Sequence, residues 1–440
     1  MKLSQKVALN TAIQIFSKAT TVIFGLLTMI LLIDYLGKEG YGDYMYVITL
    51  VVMFGVFADW GTGVIGVREA SRTKEKQGQV LANIFMFRLV LAFMAAVFMV
   101  LAALFLPLRT ANPVVLRQAI MLGALILVLF ATKASFGIVF QTKLVMQNLA
   151  VADIASSALV FLISWLFVQQ GLGLLLLVGA VVLANIFAVV IAWFLAQKTV
   201  RFVFRLDRLF IKRLIRESLP MGAILLMFTV DNKIDTVMLG SIKGSGPVGI
   251  YAVAYRIYDV LILGAAYLMN ALLPVLSQYS NINKWGSKLR QIYQKTFDIL
   301  FLMGLGLLLT VWLFAPLVVQ IITQRRFGEF SDSVLVLRIL SLALFLAYLN
   351  HLTGFTIIAL GRQRPYFFIA LAALIFNVFA NLIVIPKFSF YGAATVTVLT
   401  EGLVLLITTA FIFRLIKIIP SLVQFPKTAI QLIKERGKLF

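Results

Sequence analysis

Asp231, Lys233 and Asp235 lie inside one apolar run that opens at Ser218-Leu219-Pro220, and Arg256 and Asp259 lie inside the next, Val248 to Leu273. Either run is long enough to cross a bilayer, which takes about 20 helical residues. Ionisable groups at that depth cost about 3 kcal/mol each on insertion scales, and they normally face a protein interior or a wet cavity. The chemistry open to them is ion pairing, uptake of a proton or a sodium ion, and anion binding. Spacing sorts them: Asp231 and Asp235, four apart, share a helical face that Lys233 does not, and Arg256 and Asp259, three apart, adjoin a Tyr251, Tyr255, Tyr258 stripe. A carboxylate of Asp231 or Asp235 facing Arg256 would be either a static ion pair or a gate that opens when a proton or substrate replaces one partner.

Other polar groups sit at comparable depth. On the first run, Asn10, Gln14, Ser17, Lys18, Thr21 and Thr28 recur at helical steps along one face, which suits a wet cavity or hydrogen bonds between helices, although the latter do not call for a lysine. Lys133 lies within a run near 118 to 140, and Glu401 shares a face with Thr397, Thr400 and Thr408 near mid-span. A buried carboxylate can take up a proton or sodium ion, which makes Glu401 a candidate coupling site, as Asp231, Asp235 and Asp259 are candidates for coupling or gating. His351, beside Asn350, is expected to make a structural hydrogen bond. Asp59, Arg88, Asp153, Asp298 and Arg338 fall near predicted helix ends, where long side chains snorkel and short acids meet headgroup water.

The elements that must position these groups follow from composition. Of 440 residues 62% are hydrophobic and only 13% charged, far from the globular average of about 25% charged. The chain reads as an all-α polytopic membrane protein. Apolar runs fall near 10 to 33, 44 to 66, 80 to 106, 118 to 140, 150 to 169, 174 to 196, 218 to 240, 249 to 273, 296 to 322, 334 to 360, 366 to 385 and 391 to 413, about twelve spanning helices. The first, Asn10 to Ile33, is too long for a signal-peptide core and is expected to be retained. With the N-terminus inside, the inner segments hold 26 lysines and arginines against 7 outside, so both termini are expected in the cytoplasm of a plasma (inner) membrane protein. Topology therefore accounts for most of the net charge of +22, and nucleic acid is not an expected partner. The absence of cysteine, a single histidine and the lack of a phosphate-binding G-x-x-x-x-G-K-[ST] loop exclude thiol chemistry, metal clusters and ATP hydrolysis within this chain. No cofactor is expected beyond a coupling proton or sodium ion.

Organisation is expected as an N-terminal bundle of six helices (1–197), a cytoplasmic basic linker (198–217), a C-terminal bundle of six (218–413) and a cytoplasmic tail (414–440). In the linker, Phe202, Leu206, Leu209, Phe210 and Leu214 recur between cations, which predicts an amphipathic helix on anionic membrane lipids or ordinary positive-inside charge. The tail has the same character, broken at Pro420 and Pro426. The halves are weakly repeated: Leu36-Gly37 and Gly42-Asp43-Tyr44 are echoed by Leu239-Gly240 and Gly249-Ile250-Tyr251, and Gly173 by Gly392.

These residues carry a resemblance. Asn10 to Gly25, Leu36-Gly37-Lys38-Glu39-Gly40-Tyr41-Gly42, Ser218-Leu219-Pro220 with Asp231 to Gly240, Gly249-Ile250-Tyr251-Ala252-Val253-Ala254-Tyr255-Arg256, Leu360-Gly361-Arg362 and Tyr391-Gly392-Ala393-Ala394 resemble the polysaccharide repeat-unit flippases of the O-antigen (Wzx) type, in the MOP exporter superfamily that includes the MATE antiporters. The resemblance implies two six-helix bundles around a central cavity and alternating access. It also implies a polyprenyl-diphosphate-linked oligosaccharide as cargo and polysaccharide assembly proteins as partners. A diphosphate calls for cations, for which Lys18, Lys133, Lys233 and Arg256 are the groups available. A MATE-like antiporter of small organic molecules would use Asp231, Asp235 and Glu401 instead. A membrane-embedded glycan polymerase or ligase would need a larger outer loop than this sequence offers.

Overall fold

The computed structural model describes residues 3–73, 76–280, 282–417 and 420–421, so the expected amphipathic tail lies almost wholly outside the described residues. The helices are α1 (Leu3–Asp59), α2 (Thr62–Arg72), α3 (Gln77–Phe105), α4 (Pro113–Lys143), α5 (Gln147–Gln169), α6 (Leu174–Thr199), α7 (Arg208–Lys243), α8 (Ser245–Leu261), α9 (Leu263–Gln278), α10 (Ile282–Thr323), α11 (Phe327–Phe330), α12 (Ser333–Ala359) and α13 (Gln363–Ile416). Helices are what long apolar sequence must form in lipid, where each backbone group has to be satisfied internally. Among the described residues nine helical stretches are long and apolar enough to cross a membrane. Two of these contain a non-helical residue, Gly37 in α1 and Ser389 in α13, and hold two spans each. Adding α7, which its internal charges make less apolar, gives the twelve crossings that the sequence predicts.

The chain divides into two compact units, Met1–Gly249 with Ile322–Arg326, and Ile250–Ile321 with Phe327–Phe440. Helix α7 lies in the first of these units and packs against α1, α2 and α3. Within the first unit α4 and α6 lie against each other, and Ala180, Ala184, Ala188, Ala192 and Ala196 run down α6 at four-residue steps, all fully buried. Small residues at that spacing let helix backbones approach closely.

A second close approach joins the positions paired in the internal repeat. A Cβ on Gly42 would run into the Ser245 carbonyl, and one on Gly249 into the Lys38 carbonyl. Hydrogen bonds reinforce the crossing: Asp43 accepts from the Thr110 hydroxyl (2.7 Å) and from the Ser245 hydroxyl. Arg109 donates to the Ile242 carbonyl (2.6 Å), and its own carbonyl accepts from Ser245 N (3.2 Å). The turn within α1, the α3–α4 connection and the α7–α8 junction are thereby tied together.

The linker differs from the expected continuous helix. Helix α6 ends at Thr199, residues 200–207 form no helix, and α7 starts only where Asp207 caps it by accepting from Phe210 N at 2.9 Å. The cause is tertiary. Asn83 of α3 donates to the Arg205 carbonyl and accepts from Asp207 N, both at 2.9 Å, and Phe202 stacks on Trp193 and meets Phe136 edge-on, with ring centroids 6.1 Å apart in each case. Asn83→Leu, of similar volume, should strand both strap groups and cost about 2 kcal/mol, measured as a lower melting midpoint of the purified chain.

Of the charges expected near helix ends, Asp59 is the last residue of α1, whereas Arg88 is placed differently. Arg88 is only 2% exposed and pairs at 2.7 Å with Asp59, where the second span breaks at Trp60 and Gly61, both left-handed.

Candidate functional site

The first unit holds five of the eight candidate residues. Lys18 on α1 is exposed, and among the described residues it forms no ion pair. Asn10, which opens the same polar stripe, is structural: it donates to the Leu144 carbonyl (2.8 Å) and accepts from Met146 N (2.7 Å), fixing the α4–α5 connection. Lys133 of α4 is paired with Asp153 of α5 at 2.8 Å, so its charge is locally neutralised and Asp153 does not lie free at a helix end. On α7, Asp235 is buried while Asp231 and Lys233 are partly buried.

The remaining three, Arg256, Asp259 and Glu401, belong to the second unit. Arg256 and Asp259 of α8 are partly buried, and Arg256 forms no ion pair among the described residues. The stripe beside them is real: Tyr251, Tyr255 and Tyr258 follow one another with ring centroids 5.3 Å apart. Its last member reaches towards Glu401 of α13, the Tyr258 hydroxyl lying 3.5 Å from Oε1. Asn350 of α12 donates to Glu401 Oε2 at 2.6 Å and to the Glu401 carbonyl at 2.8 Å. Beside this carboxylate, Asn350 Oδ1 and Thr400 Oγ1 are buried acceptors without a hydrogen-bond partner. Carboxylate, amide and hydroxyl oxygens form a donor set that suits a proton or a hard cation such as sodium. His351 takes no part, since its Nδ1 lies 2.8 Å from the Ala347 carbonyl and its ring stacks on Phe355. Just beyond, the Tyr348 hydroxyl donates to the Leu261 carbonyl at 2.8 Å, satisfying the acceptor freed where α8 gives way to α9.

The family described as Polysaccharide biosynthesis protein matches residues 7–280, more than half of the 440. The chain belongs to that family. The MatE family matches residues 220–383. Over 207 residues the chain is 27% identical to an uncharacterized membrane protein of Methanocaldococcus jannaschii, in a match that covers 46% of each chain. It thus spans about half the length of that curated relative. Among solved structures it is similar to a multidrug resistance MATE family transporter of the MOP superfamily in an inward-facing conformation, with a TM-score of 0.77 and 14% identity over 90% of this chain and 94% of the other. It is also similar to the lipid II flippase MurJ in an inward closed conformation, with a TM-score of 0.76 and 14% identity over 97% of this chain and 91% of the other. These likenesses establish the MOP superfamily fold.

Three features of the family member escape sequence reasoning. Asn350 is visible as a polar residue at membrane depth, yet only packing of α12 on α13 makes it the partner of Glu401. The Lys133–Asp153 and Arg88–Asp59 pairs likewise join residues on separate elements. A usable signal is the near-equal number of acids and cations at membrane depth in the sequence, which favours pairing over an all-cationic lining.

Proposed function

We propose that this chain moves a polyprenyl-diphosphate-linked oligosaccharide from the cytoplasmic to the outer leaflet by alternating access. The family match over residues 7–280 carries the reading. Lys18 in the first unit and Arg256 in the second, which form no ion pair among the described residues, are each candidate cations for an anionic group of the cargo. Lys133 would have to release Asp153 first. Coupling would run through Glu401, by a proton or a sodium ion. Excess lysine and arginine in the segments assigned to the inside supports a plasma membrane orientation with both termini cytoplasmic. The exposed cations Arg201, Arg205, Arg208 and Lys212, interleaved with exposed Phe204, Leu206 and Leu209, suit an anionic inner leaflet.

The test is translocation of a fluorescent polyprenyl-diphosphate oligosaccharide in proteoliposomes. Wild type should transport it, and Arg256→Ala and Lys18→Ala should each slow the initial rate by about tenfold or more, the loss of one charge-assisted hydrogen bond, with melting midpoints unchanged. A second reading, a MATE-like antiporter of small organic molecules, draws on the MatE match over residues 220–383 and on the carboxylates Asp231, Asp235 and Glu401. Ion-driven efflux of an organic cation, with no glycan-lipid movement, would establish that reading and discard the first.

A further inference from the structure

The second span is interrupted in the first unit, and the interruption is built. Trp60 (φ 42°) and Gly61 (φ 73°) end the helix at Asp59 and restart it as α2, an 11-residue helix, at Thr62. A tryptophan keeps that conformation only where its surroundings fix it. Here it packs on α7 at Gly222, where a Cβ would lie 2.8 Å from the indole. Restarting a helix here leaves the first N–H groups of α2 without intrahelical partners, at the positive end of the helix dipole.

One of them, Gly63 N, is satisfied by a carboxylate from the same chain. Asp59 Oδ1 accepts from Gly63 N at 3.1 Å and pairs with Arg88 Nη1 at 2.7 Å, while Thr62 Oγ1 lies 3.4 Å from the same guanidinium nitrogen. The cationic half of the pair is the hidden one. The Arg88 side chain is 3% exposed against 33% for Asp59, and buried Arg88 Nε has no hydrogen-bond partner. The donors therefore exceed what Asp59 takes up, and the anion is the more accessible partner. Gly63 keeps the space open, since a Cβ there would meet Asp59 Oδ1 at 3.2 Å and Arg88 Nη1 at 3.5 Å. A static cap needs neither a buried arginine nor a glycine beside it, because a buried ion pair is no more stabilising than well-packed apolar residues.

We infer that the N-terminus of α2 and Arg88 form an oxyanion site, filled by Asp59 in the resting chain, and that a phosphoryl group of the cargo takes the place of the Asp59 carboxylate. A diphosphate supplies more acceptor oxygens than a carboxylate, enough to reach Nε as well as Nη1 of a guanidinium fork. Half-helix N-termini at interrupted spans are physically suited to anionic groups for the same reason that they need capping. The identity of the cargo rests on the flippase reading; the site rests on the geometry.

Inorganic pyrophosphate, titrated into the purified full chain in uncharged detergent, tests the site directly. Asp59→Asn should melt below wild type, because Arg88 loses its counter-charge. Pyrophosphate should raise that midpoint and bind at least about tenfold tighter than to wild type, since the internal competitor is gone. Adding Gly63→Ala to Asp59→Asn should weaken binding again with every positive charge retained. Asp59→Asn/Arg88→Gln should regain the midpoint and bind no pyrophosphate. Equal affinity of wild type and Asp59→Asn, or binding that survives in the Arg88→Gln double variant, overturns the site. Should Asp59→Asn fail to fold, the double variant against wild type still decides: binding lost in the former supports the site, and binding equal or absent in both overturns it. Pyrophosphate binding at Arg88 without glycan-lipid transport would remove the flippase reading and keep the site. Transport without the predicted pyrophosphate effects would do the reverse.

Discussion

Gly42→Ala should lower stability by about 3 kcal/mol or more, the upper end for forcing atoms into a packed interior. The added methyl points at the Ser245 carbonyl, a backbone atom fixed at the α7–α8 junction and unable to rotate away as a side chain would. Gly249→Ala drives the same kind of collision into the Lys38 carbonyl, so the two should cost similar amounts. Their effects should also fail to add, because either one separates the same pair of backbones. Gly246→Ala is the internal control: it lies in the same junction, but its Cβ would find nothing nearer than Glu39 Cγ at 3.7 Å, and its change should stay within about 0.5 kcal/mol. Melting midpoints of the purified variants decide the matter. If Gly42→Ala behaves like Gly246→Ala, the crossing is looser than described and the Asp43, Thr110 and Ser245 hydrogen bonds hold the junction alone.

The same crossing shows how far sequence reasoning reaches. Gly42 and Gly249 stand out as counterparts in the repeat, and the long apolar runs place the helices that carry them, because hydrophobic length at bilayer scale admits few alternatives to a helix. That the two glycines touch is not legible, since repetition says nothing about contact. The linker fails for a related reason. From Leu209 onward its apolar period does form α7, but Phe202 is claimed by Trp193 and Phe136, and the intervening backbone by Asn83, so tertiary partners outweigh local period. Arg88 reads as a snorkelling charge near the start of the run from 80 to 106, and the run from 44 to 66 shows no interruption at Asp59. No proline announces the break; it is made by Trp60 adopting a backbone conformation that its residue type rarely visits. For the candidate site, residue types and depth are legible, while partners such as Asn350 and Asp153 depend on helix packing.

Glu401→Gln and Asn350→Leu should separate structure from coupling in the second unit. Glutamine has the shape of glutamate, can still accept from Asn350, and carries no charge to be desolvated, so Glu401→Gln should melt at or above the wild-type midpoint. It cannot take up a proton or neutralise a sodium ion, however, so gradient-driven transport should fall by about tenfold or more if the carboxylate is the coupling group. Asn350→Leu does the opposite. It removes the donor 2.6 Å from Oε2 and the one 2.8 Å from the Glu401 carbonyl, leaves the ionised group short of partners, and should cost about 3 kcal/mol. Combining Asn350→Leu with Glu401→Gln should recover much of that loss, because the stranded charge is then gone. Proton and sodium gradients imposed separately on proteoliposomes identify the ion: the gradient whose effect disappears in Glu401→Gln is the one bound there. A Glu401→Gln chain that still responds fully to both gradients, alongside an unstable Asn350→Leu, would make this cluster a structural bridge between α12 and α13 and move coupling to Asp231, Asp235 or Asp259.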